Sequence, residues 1–220
     1  MNTTIDSKIQ NLVVGQIILK NIDNKKNRNK PLDKLVSTLS ADVRENTDKY
    51  IRNDNVTAYQ DLIDRSPDRK LDQQPGPIIL TDLILKQGYL PTISRVVDCM
   101  NVISIKHSLT ISIWDEDRIS GDITYRFSQS HEKYWPFMGD EYDLQENEII
   151  ASDTEKVLCL VRYRDSKYAP VTLETENIVV HVQGVGVITE TDIKLAVDEL
   201  KELLIRSVGG EPSSILLIRK

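Results

Sequence analysis

The sequence predicts an α+β fold in which helices early and late in the chain flank a mainly antiparallel β core. Apolar residues recur at helical spacing near both ends of the chain, and each time they leave one polar face. Between these segments, short β-branched runs alternate with turn residues at intervals of about 8–12 residues, as in antiparallel sheets. The 220 residues are enough to bury a sizeable core, and we expect a single domain over residues 1–220.

The first part of the chain combines one strand with several helices. The run Leu12–Lys20 is apolar and rich in β-branched residues, which favours a strand. Apolar spacing predicts helices at 32–46, 55–64 and 78–87. Gly88 follows the third of these, at a position where glycine commonly ends a helix. The segment between residues 66 and 77 holds three prolines and one glycine, and therefore predicts a loop.

A basic, asparagine-rich stretch follows the first strand, between Lys20 and Lys30. A solvated loop is the simpler interpretation of such a stretch. The alternative is a contact with the phosphate groups of a nucleic acid.

The rest of the chain supplies the β core and a final helix. The predicted strands are 109–114, 122–127, 148–151, 157–162 and 178–183. The segment Val96–Ile105 fits either a helix or a strand. An apolar stripe predicts an amphipathic helix at 189–208, with Thr189 as its N-cap and Gly209 just beyond its end. The run at 215–218 predicts an edge strand.

Composition excludes several classes of protein. The net charge of −6 argues against a general DNA or RNA coat protein, and no DNA partner is expected. No apolar run approaches the roughly 20 residues that span a membrane, and no signal peptide is recognised at the start. The two cysteines, Cys99 and Cys159, lie in apolar segments and are expected to be reduced and buried in a cytoplasmic protein. The three histidines are far apart in sequence, so we expect no metal site and no cofactor.

Polar residues interrupt apolar segments that are expected to be buried away from water. Asp98 and Asn101 stand among valines and isoleucines, and Arg126 ends the run that begins at Ile123. A buried polar group without a partner costs about 1–3 kcal/mol, so each of these needs one. One interpretation is an internal ion pair between Asp98 and an arginine, with Asn101 bonded to the backbone. The other is that these groups line a pocket.

These residues belong to a set of motifs. The pattern VDxxN at Val97–Asn101 is followed by an aromatic–Asp pair, Trp114–Asp115, and then by GDIxxR at Gly121–Arg126. The set resembles the B-three/B-four domain of the bacterial phenylalanyl-tRNA synthetase beta subunit, and especially the free-standing relatives of that domain. The resemblance extends over residues 54–183.

The resemblance implies a fold and an activity. The fold would be the three-layer PheT/TilS-like domain, an α+β structure with a β-sandwich of unusual topology, here with the C-terminal amphipathic helix added. In the synthetase this domain is the editing site, which hydrolyses tyrosine wrongly esterified to the phenylalanine tRNA. Free-standing copies are proposed to act in trans on misacylated tRNA.

The resemblance also implies site residues, although several positions of the synthetase pocket are substituted here. The threonine of its VDxTN motif is Met100, and its histidine before the aromatic–Asp pair is Ser112. Its glycine-rich segment is replaced by Arg162–Ser166, and its tyrosine-reading glutamate falls at or near His181, counting on from Thr175. The expected substrate-binding residues are Asn101, Ser112, Trp114, Arg162, Arg164 and His181. The expected structural or pocket residues are Asp98, Met100, Asp115, Asp122, Arg126 and Thr175.

The leading hypothesis is therefore an aminoacyl-tRNA editing domain that hydrolyses the ester of a misacylated tRNA in trans. Its catalytic residues are not identified by the sequence. The alternative is a non-catalytic module that binds tRNA or a small amino-acid-like ligand, which the substitutions Met100 and Ser112 favour.

Overall fold

The computed structural model describes residues 1–66 and 74–220, and within them it has an α+β architecture, as predicted. The helices are α1 (Lys30–Glu45), α2 (Thr47–Ile51), α3 (Asp54–Arg65), α4 (Gly76–Gln87), α5 (Arg95–His107) and α6 (Glu190–Val208). The strands are β1 (Thr3–Ile5), β2 (Leu12–Lys20), β3 (Thr110–Asp115), β4 (Ile123–Phe127), β5 (Lys133–Tyr134), β6 (Tyr142–Asp143), β7 (Ile149–Ser152), β8 (Val157–Leu160), β9 (Ile178–Val185), β10 (Glu211–Pro212) and β11 (Leu216–Arg219). The loop predicted at 66–77 falls mostly outside the described residues.

A five-stranded antiparallel sheet forms the middle of the protein. Strands β2, β9 and β3 are adjacent in that order, and both β10 and β11 pair with the other edge of β2. Strand β9 is buried along its whole length, and its register places Gln16 and Ser112 on either side of His181. Strand β3 is therefore an edge strand of this sheet. The predicted edge strand near the C-terminus is confirmed as β11.

A four-stranded sheet, ordered β1-β4-β7-β8, forms the second layer of the sandwich. Its pairs are antiparallel except for β1 and β4, which run parallel. Tyr125 of β4 and Cys159 of β8 reach Gln183 of the first sheet by hydrogen bonds, so the two sheets face each other. Strands β5 and β6 form a separate two-stranded ribbon.

Helices cover the other face of the five-stranded sheet and make the third layer. Helix α6 lies so close to β2 and β9 that a Cβ atom at Gly184 would come within 2.9 Å of the Ile193 side chain. The capping box predicted at Thr189 is present, with Thr189 and Asp192 bonding each other's backbone amide groups. Helix α5 packs between α6 and β3.

The ambiguous segment 96–105 is helical. Ser94 caps the start of α5 by accepting a hydrogen bond from the Val97 amide group, and Ser108 ends the helix in the left-handed conformation. The helix is buried on more than one side, which explains why its apolar residues follow no clean stripe. Within the described part of the chain, no helix is long and apolar enough to cross a membrane.

Candidate functional site

A cavity of about 410 Å³ opens beside the free edge of β3. Helices α4 and α5 form one wall, and the segment that follows β8 forms the other. Its lining is mostly apolar, and the polar side chains in it are Asn101, Ser104, Thr110, Ser112, Arg164, Asp165, Ser166 and Gln183. Met100 and Tyr163 also line it. The site residues predicted on α5, on β3 and after β8 thus converge on one space, although they lie far apart in sequence.

Three predicted substrate-binding residues, Asn101, Ser112 and Arg164, line this cavity, whereas Trp114, Arg162 and His181 do not. Trp114 is fully buried, with its ring edge-on to His181 at 4.9 Å between centroids. Arg162 is buried in a two-bond ion pair with Glu148, with both nitrogen–oxygen distances at 2.8 Å. The guanidinium group of Arg164 lies over the ring of Tyr163 instead.

His181 lies in a polar layer between the two sheets. Its Nε2 is 2.9 Å from Gln16 Oε1, and its Nδ1 is 2.9 Å from the Tyr125 hydroxyl group. The neutral ring with a proton on Nε2 satisfies both contacts, because Nε2 can donate to Gln16 and Nδ1 can accept from Tyr125. Burial lowers the pKa of His181 to about 3. His181 is therefore a neutral structural link between the sheets.

Gln183 extends this layer to the floor of the cavity. Its Nε2 donates to Ser112 Oγ at 3.0 Å, to the Tyr125 hydroxyl group at 3.0 Å and to Cys159 Sγ at 3.6 Å. Its Oε1 is buried and has no hydrogen-bond partner among residues 1–66 and 74–220. The floor thus offers an unused acceptor.

Among the described residues, Asp165 is the one acidic residue that lines the cavity. Burial raises the pKa of its carboxyl group to about 7, although the Ser112 hydroxyl group, the Ile113 amide group and the Trp114 indole oppose that rise. The sequence prediction included Asp165 only as part of the segment Arg162–Ser166. The signal that could have found it is an aspartate three residues after Arg162, in a short polar stretch that follows an apolar strand.

The backbone of β3 also faces the cavity. The Asp115 amide group donates to Ala169 O at 3.1 Å, on the side of β3 that is turned away from β9. Alternate amide groups of a strand point in the same direction, so those of Ile111 and Ile113 share this side. Ile111 lines the cavity, and its amide group points to this side of β3.

The remaining predicted residues hold the scaffold together. Asp98 is completely buried and accepts from Arg28 Nε at 2.7 Å and from the Ile93 amide group at 3.1 Å. Asp115 accepts from the Thr175 hydroxyl group at 2.8 Å. The ion pair interpretation of Asp98 thus matches the structure, while Asn101 on the next turn of α5 lines the cavity.

Two other predicted residues tie neighbouring segments. Asp122 accepts from the amide group of Asn2 at 2.7 Å, next to the start of β1. Arg126 binds both carboxylate oxygens of Glu132, and its Nε donates to Ser152 Oγ at 3.0 Å. Neither residue lines the cavity.

The basic stretch between Lys20 and Lys30 lies beside the cavity wall. Asn24 Nδ2 donates to Thr172 O at 2.8 Å, next to the lining residues Pro170 and Val171. Part of the stretch is neutralised: Lys20 pairs with Glu116, Lys25 pairs with Asp23, and Arg28 is buried against Asp98. Lys26 and Lys30 are exposed.

A larger hollow of about 900 Å³ lies between α3 and the strand ends near Glu148 and Val185. None of the predicted site residues lines it. Volume alone would favour this hollow, but the convergence of the predicted residues favours the cavity beside β3.

The chain is similar in sequence to known proteins. Residues 68–202 match the family described as the B3/4 domain. The phenylalanine–tRNA ligase beta subunit of Legionella pneumophila (strain Lens) is 24% identical over 155 residues, which cover 60% of this chain and 20% of that protein. The same subunit of Fusobacterium nucleatum is 27% identical over 109 residues, covering 50% of this chain and 14% of that protein.

A solved structure shows the same fold. The crystal structure of an N-terminal fragment of the phenylalanyl-tRNA synthetase beta subunit from Pyrococcus horikoshii superposes with a TM-score of 0.53 at 15% identity, covering 100% of this chain and 54% of that one. The chain spans about a fifth or less of the length of the curated relatives named above. Because the family match covers well over half of its 220 residues, the chain belongs to the B3/4 domain family.

Proposed function

We propose that this protein is an aminoacyl-tRNA deacylase that acts in trans, taking the aminoacylated end of a misacylated tRNA into the cavity beside β3. One observation carries the proposal: Met100 and Asn101, Ser112, and Arg164 line one cavity in a member of the B3/4 domain family. Those positions correspond to three separate parts of the editing pocket that the resemblance implies. The relatives' name, phenylalanine–tRNA ligase beta subunit, supports a tRNA substrate.

Hydrolysis of an aminoacyl ester requires a positioned water molecule and a donor for the oxyanion that forms at the carbonyl carbon. The amide group of Ile111, on the free side of the edge strand β3, is the donor we assign to this oxyanion. The Asn101 side chain, 5% exposed, supplies a further polar group in the same wall. The ribose hydroxyl group of the substrate is close to its own ester and can assist the attacking water.

The proposed contact with the tRNA is electrostatic and involves a small surface of the protein. The chain carries a net charge of −6, so phosphate binding depends on a local basic surface. The exposed Lys26 and Lys30 provide this surface, because the stretch between Lys20 and Lys30 contacts Thr172 next to the cavity wall through Asn24. A cytoplasmic location, where aminoacyl-tRNA is made and used, is part of this proposal.

The test is deacylation of a panel of mischarged tRNAs by the purified protein, measured as release of labelled amino acid. We expect at least one mischarged pair to be hydrolysed faster than in buffer. The variant Asn101→Leu should lose most of this rate while keeping the melting temperature, and Arg52→Ala, at an exposed arginine on another surface, is the matched control. No acceleration for any pair would overturn the proposal.

The arginines after β8 separate a site role from a structural role. Arg164→Ala should lower the deacylation rate without a change in melting temperature, because Arg164 lines the cavity. Arg162→Ala should lower the melting temperature strongly, because it leaves Glu148 buried without its main cation. The reverse result would exclude Arg164 from the site.

A binding module without catalysis is the second candidate. The apolar walls and the presence of Met100 and Ser112 at family pocket positions favour it. In that case, a non-hydrolysable aminoacyl-adenosine analogue should raise the melting temperature, while no mischarged tRNA is turned over.

A further inference from the structure

The carboxylate of Asp165 is held on a rigid turn. Asp165 forms a bridge with Cys159 across the turn that follows β8. The Leu160 amide group donates to Arg164 O at 3.1 Å, and the Ser166 amide group donates to Leu158 O at 2.7 Å. Paired residues of an antiparallel bridge direct their side chains to the same face, so Asp165 points with Cys159 toward the layer between the sheets.

No cation among residues 1–66 and 74–220 forms an ion pair with Asp165. The titratable groups near it are Cys159 across the turn, Tyr125 from β4 of the same sheet and Tyr134 from the ribbon, and the charge of Asp165 disfavours the ionised form of each. Arg164, the adjacent residue, places its guanidinium group over Tyr163. Within the described part of the chain, the carboxylate thus has no cationic partner.

Two hydrogen-bond acceptors on cavity-lining residues have no donor in the described part of the chain. Asp165 Oδ1 is buried and has no hydrogen-bond partner in the described part of the chain, and the same is true of Gln183 Oε1. Gln183 is completely buried, and its amide nitrogen is already committed to Ser112, Tyr125 and Cys159, which fixes its oxygen as the free end. Buried acceptors without donors cost free energy, and a ligand that brings donors removes that cost.

We propose that Asp165 is the counter-ion for a primary ammonium group of the ligand in the cavity beside β3. This inference rests on the proposed function, in which the ammonium is the α-amino group of an aminoacyl ester. An ammonium group carries three donors and one positive charge, so it can satisfy Asp165 and Gln183 Oε1 together. The apolar walls then accept an uncharged side chain.

The proposal makes the site selective for a free amino group. An N-acylated ligand has lost the charge and two of the three donors, and its acyl group would occupy the space next to the carboxylate. Formyl- or peptidyl-type substrates are therefore excluded, and ligands with a free amino terminus are accepted. Binding should strengthen as the pH rises toward 7, because the carboxyl group becomes ionised, and it should weaken again above about pH 8, where the α-amino group of the ligand loses its proton. The bound ligand in turn should lower the pKa of Asp165.

Small amides test the ammonium subsite without any hydrolysis. We would titrate the full chain with L-leucinamide and with N-acetyl-L-leucinamide at millimolar concentrations and follow both by NMR and by thermal stabilisation. L-leucinamide should bind at least about tenfold more tightly, which corresponds to about 1.4 kcal/mol. Asp165→Asn should abolish this difference, whereas Asp140→Asn, at an exposed aspartate, should leave it unchanged.

Every result decides the proposal. Equal binding of the two amides, no binding of L-leucinamide, or an Asp165→Asn variant that still discriminates would overturn it. Asp165→Asn removes a buried charge and is expected to fold, which its melting curve verifies, and Asp165→Ser provides a second neutral variant. The deacylation panel is read separately. If the protein deacylates tRNA but binds the two amides equally, only the counter-ion role of Asp165 is overturned. If it discriminates between the amides but deacylates no tRNA, only the proposed hydrolase activity is overturned.

Discussion

At the scale of single residues, burial shifts the pKa values of two ionisable groups in the polar layer between the sheets, and the two shifts are in opposite directions. His181 is held neutral between Gln16 and Tyr125, and burial lowers its pKa to about 3. Asp165 lines the cavity, as Gln183 does, and burial raises its pKa to about 7. Each shift means that the folded and unfolded states bind different numbers of protons over a defined pH range. The two groups therefore contribute opposite slopes to the dependence of stability on pH.

The first prediction concerns Asp165→Asn. Between pH 3.8 and about 7 the folded chain keeps a proton on Asp165 that the unfolded chain releases, so the free energy of unfolding falls as the pH rises through this range. The variant lacks this loss, and its stability relative to the unmodified protein should increase from pH 4 to pH 7, by about 4 kcal/mol at most. Urea denaturation at several pH values measures this difference, and a constant difference would contradict the assigned pKa.

The second prediction concerns His181→Gln. The folded chain keeps His181 neutral while the unfolded chain gains a proton below pH 6.5, so this histidine makes the unmodified protein lose stability as the pH falls from 6.5 toward 3. The variant should lose less stability over this range. At pH 8 it should still be destabilised by about 1–3 kcal/mol, because Tyr125 loses its acceptor. The same denaturation series provides the measurement, with His131→Gln, at an exposed histidine, as control.

The third prediction concerns the ion pair between Arg28 and Asp98. Both side chains are buried, and Arg28 also donates to the carbonyl groups of Leu90 and Pro91. Arg28→Ala should cost about 3–5 kcal/mol, since it leaves a buried carboxylate without its cation. Arg52→Ala removes an exposed pair with Asp48 and should cost less than about 1 kcal/mol. Similar costs for the two variants would show that Arg28 does not support the fold.

At the scale of elements, local pattern predicted most helices and strands, because periodicity and caps are local properties. The helix around Val36, the strand Leu12–Lys20 and the capping box at Thr189 all follow from neighbouring residues. The short strand β1 was not predicted, since its three residues become a strand only by pairing in parallel with β4. The segment 96–105 stayed ambiguous because α5 is buried on more than one side.

The fourth prediction tests how closely α6 packs on the sheet. A Cβ atom at Gly15 of β2 would lie 2.7 Å from Ile193 Cγ2 and closer still to Val197 Cγ2. Gly15→Ala should therefore destabilise the protein by about 1–3 kcal/mol, and Val197→Ala in the same chain should recover part of that loss. Gly76→Ala is the matched control, because no described residue has an atom within 4 Å of its Cβ position. Thermal melting of the three variants measures these effects, and a neutral Gly15→Ala would contradict the packing.

At the scale of the whole molecule, the sequence predicted which segments line the cavity beside β3 but not which of their side chains reach it. The motifs placed Asn101, Ser112 and the segment after β8 together, and the structure brings them to one cavity. Within that segment, Arg162 turns toward Glu148 and Arg164 toward the cavity, a difference set by the turn after β8 and by a carboxylate that is distant in sequence. The positions of Asp165 and Gln183 likewise depend on pairing with residues distant in sequence, Asp165 with Cys159 and Gln183 with β3. No local pattern specifies these pairings.

The last prediction concerns the salt dependence of tRNA binding through Lys26 and Lys30. If the exposed Lys26 and Lys30 contact tRNA phosphates, as proposed, affinity should fall with salt, and each lysine removed should lower the slope of log K against log salt by about 0.7–0.9. Lys26→Gln with Lys30→Gln should therefore weaken tRNA binding and flatten its salt dependence, without affecting the discrimination between L-leucinamide and its N-acetyl form. Lys194→Gln on α6, a helix that does not line the cavity, is the control and should change neither quantity. Filter binding at several salt concentrations measures the affinity and its salt dependence for each variant. An unchanged slope in the double variant would show that tRNA contacts another surface of the protein.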